Sequence, residues 1–227
     1  MPLLNHLHPT IMHSRLPHAF RRGLPRRAGF TLIELLTVIS IIGILAGILI
    51  PVVTGAINAA KKQKTNVMLN NLVSACTLYK QTNKFYPTFE TNVPTTTPFV
   101  LTLKSNPHFA PVMTGNLTND QADAIYNPGN TPYVALSNDE ITTDATHVLD
   151  PYGNDDIVII MDVTPTNGVI PASSITPISM TAGSAQLGYN NNQVVVKQTV
   201  PVRSPVIAMS PGRGLSNADV VTTWDSQ

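Results

Sequence analysis

The chain has 227 residues, with 14 Lys and Arg, 13 Asp and Glu and 6 His, a formal charge of +1. A single cysteine excludes an intrachain disulfide and a zinc site of the paired-cysteine kind. Five basic residues, Arg15, Arg21, Arg22, Arg26 and Arg27, fall in residues 1–29 without any acid, so the remainder holds nine basic against thirteen acidic residues and offers no basic platform for nucleic acid.

Residues 1–29 read as a leader. Pro2, Pro9, Pro17 and Pro25 oppose a stable helix there, and His6, His8, His13 and His18 read as solvated rather than metal-binding. Met12 is a second candidate start.

The chain is organised around residues 30–53, FTLIELLTVISIIGILAGILIPVV. These 24 residues hold one ionisable side chain, Glu34. At about 1.5 Å per residue such a helix spans about 36 Å, enough to cross a hydrocarbon core of about 30 Å. Backbone groups in lipid must be satisfied within the segment, which imposes a helix despite the Ile and Val content. The arginine flank keeps the N-terminal end cytoplasmic and sends the rest across the membrane. A carboxylate inside an apolar run is a functional residue by default and needs a partner. Phe30, Thr31, Leu32 and Ile33 offer no cation, but a cut after Gly29 would create one, the α-amino group of Phe30. Gly43 and Gly47 form a small-xxx-small pattern that lets helices approach closely. Pro51 is expected to end or kink the helix.

Residues 54–86 read as an amphipathic continuation. Ala56, Ala59 and Ala60 are strong helix formers, and Leu69, Leu72, Val73, Cys76 and Tyr79 recur at helical spacing, as a stripe that should pack under a sheet. Lys61, Lys62 and Lys64 read as solvated. Phe85-Tyr86-Pro87 should stop the helix. Residues 87–131, rich in Thr, Asn and Pro, read as a variable loop region with one short helix near 117–125. Residues 132–227 read as a sheet and a C-terminal loop, with strands expected at 133–137, 156–162, 194–200 and 206–209. The expected class is α+β: a long N-terminal helix against a small antiparallel sheet.

The run R-R-A-G-F-T-L-I-E-L-L, with the apolar helix to Pro51, resembles the processing site of type IV prepilins and type II secretion pseudopilins. The resemblance implies the pilin fold, cleavage between Gly29 and Phe30 by a membrane-embedded prepilin peptidase, and N-methylation of Phe30. It also implies that Glu34 neutralises the N-terminal amine of an adjacent subunit, with Gly43, Gly47 and Pro51 shaping the assembled helix. Asp150-Pro151-Tyr152-Gly153-Asn154 resembles the D-P-W-G-N segment of major pseudopilins, with Tyr152 for Trp. Residues 210–224 resemble the calcium-binding C-terminal loop of that branch. Asp219 matches one of its aspartates, but Arg213 stands where another carboxylate is wanted, which leaves Asn217, Asp219 and backbone carbonyls as a tentative Ca2+ set.

What the resemblance implies for function is a structural filament subunit, not an enzyme, anchored once in a bacterial inner membrane with its C-terminal domain periplasmic. Its partners would be further copies, an inner-membrane assembly platform, a cytoplasmic ATPase and minor pseudopilins. A type IV pilus pilin serving adhesion, motility or DNA uptake is the alternative. A membrane-anchored periplasmic binding module or hydrolase is more remote, since no Ser-His-acid pattern or phosphate loop is visible.

Overall fold

The computed structural model describes residues 29–90, 93–117, 121–164, 168–182 and 192–224, so residues 1–28 of the expected leader lie outside the described residues. The chain divides between Ile48 and Leu49 into two units, each described by itself.

The first unit holds the opening turns of helix α1 (Leu32–Asn83). Every large apolar side chain of this part is exposed, from Val38 at 48% to Leu32 at 82%. A helix apolar all round needs a nonaqueous surrounding, and α1 is long and apolar enough to cross a membrane.

In the second unit α1 runs across Pro51, so of the two expected effects of this residue an end to the helix does not occur. A helical proline leaves the carbonyl four residues back, here that of Gly47, without its usual partner. The Ile- and Val-rich flanks are not strong helix formers, but lipid requires the remaining backbone groups to be satisfied within the helix, which outweighs that single loss. Thr65, Met68, Leu69, Leu72, Ala75, Cys76 and Tyr79 are the buried residues of α1, at the spacing of one helical face. The helix ends at Asn83, and Lys84 adopts a left-handed φ of 71° while its N–H donates to the Lys80 carbonyl at 2.8 Å.

The buried face of α1 meets a four-stranded antiparallel sheet in the order β1 (Phe99–Thr102), β2 (Val158–Met161), β5 (Val206–Ser210), β6 (Val221–Thr222). Phe99 pairs with Met161, Val158 with Met209 and Met209 with Thr222. Side chains alternate across a strand. Accordingly Leu101, Ile159, Met161 and Ala208 join the core with α1, while Val158, Ile160, Ile207 and Met209 face the other way. There they meet a second core built from Ile170, Ile175 and the hairpin β3 (Ile178–Ala182) with β4 (Asn192–Val196). The sheet is therefore covered on both faces, which is why β2 reads as an unbroken apolar run instead of an alternating one.

The α+β expectation matches this architecture, but several elements differ. Residues 133–137 are not a strand: Tyr133 and Val134 both donate their N–H to the Met113 carbonyl, and the Tyr133 ring lies tilted against that of Tyr79, 5.0 Å between centroids. In stretch 87–131 the helix expected near 117–125 is α3 (Gln121–Tyr126), joined by an unexpected strand, β1, and a second helix, α2 (Phe109–Thr114). Pro111 is tolerated in α2 because it lies in the first turn. Gly115 closes α2 at φ 72°, where a Cβ would approach the Asn130 carbonyl oxygen to 2.7 Å. The strand expected over 194–200 ends at Val196, since Gln198 turns its N–H to Thr176 Oγ1.

Candidate functional site

The sequence singled out the head of α1, and the geometry there is a reciprocal cap. Glu34 Oε2 accepts the Thr31 N–H at 2.8 Å and the Thr31 hydroxyl at 2.8 Å, while the Glu34 N–H donates to Thr31 Oγ1 at 3.3 Å. Thr31-Leu32-Ile33-Glu34 is thus a capping box, which satisfies two of the N–H groups left orphaned at a helix start. The T-x-x-E spacing is the sequence signature of this cap, a local role for Glu34 beside that of an intramembrane charge. The box places the carboxylate at the extreme end of α1. Phe30, 81% exposed, precedes by one residue the Thr31 N–H already bonded to that carboxylate. An amine created on Phe30 would therefore arise beside an acceptor held in place.

Gly43 and Gly47 sit on the exposed helix, and a Cβ added at either would meet no atom within 4 Å. Among the described residues nothing requires glycine there, although a glycine inside a helix costs about 1 kcal/mol relative to alanine. Pro51 likewise lies on exposed helix.

The turn Asp150–Asn154 is the second place the sequence marked. The Asp150 carboxylate is almost wholly buried. Its Oδ1 accepts the N–H of Tyr152 at 2.8 Å and of Asn154 at 2.9 Å, and its Oδ2 accepts Asn154 Nδ2 at 2.7 Å and the Ser210 hydroxyl in a short bond. Burial raises its pKa above the ordinary carboxylate range, against the pull of these donors. Asn154 Nδ2 also donates to the Gly212 carbonyl at 2.6 Å, and Gly212 returns its N–H to Ser210 Oγ at 3.1 Å. The turn thereby holds the C-terminal loop. Tyr152, at its tip, reaches α1 and donates its hydroxyl to the Asn58 carbonyl at 2.9 Å. Gly212 is required at φ 62°, since a Cβ would lie 2.1 Å from the Asp219 carbonyl oxygen.

The tentative Ca2+ residues have other partners. Asp219 Oδ2 accepts the N–H of Leu215 at 3.1 Å and of Ser216 at 3.0 Å, closing a capping box on the short 3-10 turn Asn217–Asp219. Asn217 Oδ1 accepts the Val195 N–H at 2.9 Å, tying the loop to β4. With Asp219 Oδ2 and Asn217 Oδ1 accepting from protein donors, and with the Arg213 cation in the same loop, too few oxygens remain for the six to eight that calcium takes. Among the described residues, no group of three or more His, Cys, Asp or Glu is placed to hold a metal.

His108 and His147 serve separate local contacts: His108 Nδ1 lies 2.9 Å from Asp123 Oδ1, and His147 Nδ1 lies 2.7 Å from Thr146 Oγ1. An open cavity of about 580 Å³ is lined by Thr114, Val134, Leu136, Ile141 and Thr142 among others, and none of the sequence-marked residues lines it.

Residues 24–50 match the prokaryotic N-terminal methylation motif. The chain is 40% identical over 67 residues to the type II secretion system core protein G of Escherichia coli (strain K12), which covers 30% of this chain and 46% of that protein. It is 42% identical over 65 residues to the protein of that name from Aeromonas hydrophila, 29% of this chain and 46% of that one. The corresponding figures for Vibrio cholerae are 36% over 67 residues, 30% and 46%. The chain thus spans less than half the length of the curated relatives it matches. No solved structure gives a significant match.

Proposed function

We propose, from a methylation motif that opens a helix similar to those of type II secretion core proteins G, that this chain is the structural subunit of a type II secretion pseudopilus. The single observation that carries the reading is the match of residues 24–50 to that motif, because the same residues hold Gly29, the Thr31–Glu34 cap and the exposed apolar helix. The name borne by the relatives favours the secretion branch over the type IV pilus.

In this reading a prepilin peptidase hydrolyses the Gly29–Phe30 peptide bond and the new amine of Phe30 is methylated. Residues 30–53 cross the inner membrane once, with the N-terminus cytoplasmic and the second unit periplasmic. A cytoplasmic ATPase and an inner-membrane platform move subunits from the bilayer into a helical filament, joined by minor pseudopilins. The capping box keeps the Glu34 carboxylate satisfied while the subunit waits in lipid, where an unpaired polar group is costly. In the filament the carboxylate would turn to the Phe30 amine of an adjacent copy. Exposed glycines at 43 and 47 then have a purpose, close approach of neighbouring helices.

The test is Gly29→Ala. Among the described residues a Cβ at that position meets nothing within 4 Å, so the variant is expected to fold as before and to change recognition by the peptidase. The expected result is a subunit that keeps the mass of the precursor and supports no secretion. Normal trimming together with normal secretion would overturn the reading.

A further inference from the structure

The fold assembles a cationic and amphipathic patch on the turn of α1 that follows the apolar run. Tyr152 comes from a turn more than ninety residues away in sequence, yet its hydroxyl bonds to the Asn58 carbonyl at 2.9 Å and Lys61 Nζ lies 5.5 Å above its ring. Lys62 is adjacent and exposed. Arg213 is exposed and belongs to the loop whose Gly212 carbonyl is held by Asn154 of the Tyr152 turn. Leu215, two residues further, is 61% exposed. The acids near the patch are engaged: Asp150 is buried in its turn, and Asp219 accepts the N–H groups of Leu215 and Ser216. Lys64 is not counted, since it is bound to Asp139 at 2.6 Å.

The position of this patch along the helix matters. Between Glu34 and Lys61 lie 26 residues without a charge. At about 1.5 Å each they cover about 39 Å, against about 30 Å of hydrocarbon and about 40–45 Å with headgroups included. The lysines therefore emerge at the depth of the phosphates on the far side. Tyrosine and lysine together are the residues that settle in this layer, the ring among the headgroups and the ammonium on the phosphates.

We propose that Lys61, Lys62, Tyr152, Arg213 and Leu215 form a docking surface for the phospholipid headgroups of the membrane that α1 crosses. The cations take the phosphates, and Tyr152 and Leu215 enter the interfacial layer. The surface fixes the depth at which the waiting subunit rests, and its phosphate contacts are given up when the subunit leaves the bilayer. The arginine that spoils the calcium loop thus gains a role of its own. The proposal rests on the membrane-crossing reading of α1 but not on the secretion branch.

The test uses the full chain, purified in mild detergent with phosphatidylglycerol or phosphatidylcholine, and counts retained lipid by native mass spectrometry. A cation beside an anionic lipid surface contributes about fivefold in binding, so the triple variant Lys61→Gln, Lys62→Gln, Arg213→Gln is expected to lose about a hundredfold in phosphatidylglycerol retention. Lys197→Gln with Arg203→Gln, exposed cations outside the patch, should leave retention unchanged. In parallel, Leu215→Trp in a Trp224→Phe background, reconstituted into vesicles, should be quenched by lipids brominated near the headgroup. Equal loss in both charge variants, unchanged retention in the triple variant, or an unquenched tryptophan would each overturn the proposal. Alkaline carbonate extraction reads α1 insertion separately, so failure of the membrane reading is distinguishable from failure of the docking surface.

Discussion

Asp150→Ala removes the acceptor on which the Tyr152 turn, the end of β5 and the C-terminal loop converge. Four donors lose their partner: the N–H groups of Tyr152 and Asn154, Asn154 Nδ2 and the Ser210 hydroxyl. Asn154 Nδ2 keeps the Gly212 carbonyl, but the bonds from the Asn154 N–H and the Ser210 hydroxyl are buried, and losing the acceptor of a buried donor costs about 1–3 kcal/mol. Relief of the desolvated carboxylate offsets part of this, which leaves a net loss of about 3 kcal/mol. For a domain of this size that is a fall in Tm of about 6–12 °C. The assay is thermal unfolding of the full chain in detergent, followed by circular dichroism. Asp150→Asn supplies the sign check in pH. Burial raises the Asp150 pKa above 3.8 in the folded state, so the folded chain holds this proton more tightly than the unfolded one. Its contribution is then fully present below 3.8 and is lost as pH rises through the raised value. Wild type should lose stability relative to Asp150→Asn over that window. An Asp150→Ala shift under about 2 °C, or identical pH profiles for wild type and Asp150→Asn, would refute this account of the turn.

Leu72 is fully buried between α1 and the sheet, and Leu72→Ala should cost about 2–5 kcal/mol, read as a lowered denaturant midpoint. Burial pushes the Cys76 thiol up to about 12, so a thiol reagent at pH 8 should leave the native chain unmodified and label it stoichiometrically once unfolded. Labelling at the rate of a free cysteine in the folded state would show that face of α1 to be open. Glu34→Ala should still be trimmed after Gly29 but give few filaments from sheared cells. Wild-type filament yield would sink the pairing of Glu34 with a neighbouring amine.

The long helix was legible because two signals agree over it: an apolar run too long for a core helix, then Leu69, Leu72, Cys76 and Tyr79 at helical spacing, all of them buried. β2 and β5 were legible because both are apolar runs between polar turns. The edge strand β1 was not, since four residues among threonines and prolines carry no periodicity. The strand expected at 133–137 failed for a different reason: Tyr133 serves an aromatic contact with Tyr79 and a hydrogen bond from Asn83, so β propensity there reflects packing rather than pairing. The second core was also hidden. Whether Val158 and Ile160 face water or a further layer depends on the distant hairpin of β3 and β4, which no local pattern announces. At the site, the cap between Thr31 and Glu34 was written in the spacing, but the meeting of Tyr152 with Asn58 and Lys61 was not, because it joins turns far apart in the chain.

The two units differ in how far their own fold accounts for their residues. In the second unit, Gly115 and Gly212 each sit at a left-handed φ with an oxygen where a Cβ would go, and Asp150, Asn217 and Asp219 each have named donors. In the first unit the chain explains only the cap. Among the described residues a Cβ at Gly43 or Gly47 would meet nothing, and the apolar side chains face outward all round. A helix with those features is unstable in water and gains nothing from its glycines when alone. Lipid accounts for the apolar side chains but not for the glycines, because acyl chains fill the space beside an alanine equally well. In the proposed filament a second helix, approaching closely, would distinguish glycine from alanine at 43 and 47. The residues that the chain's own packing leaves unexplained are thus the ones on which assembly would act, and they coincide with the stretch that matches the methylation motif.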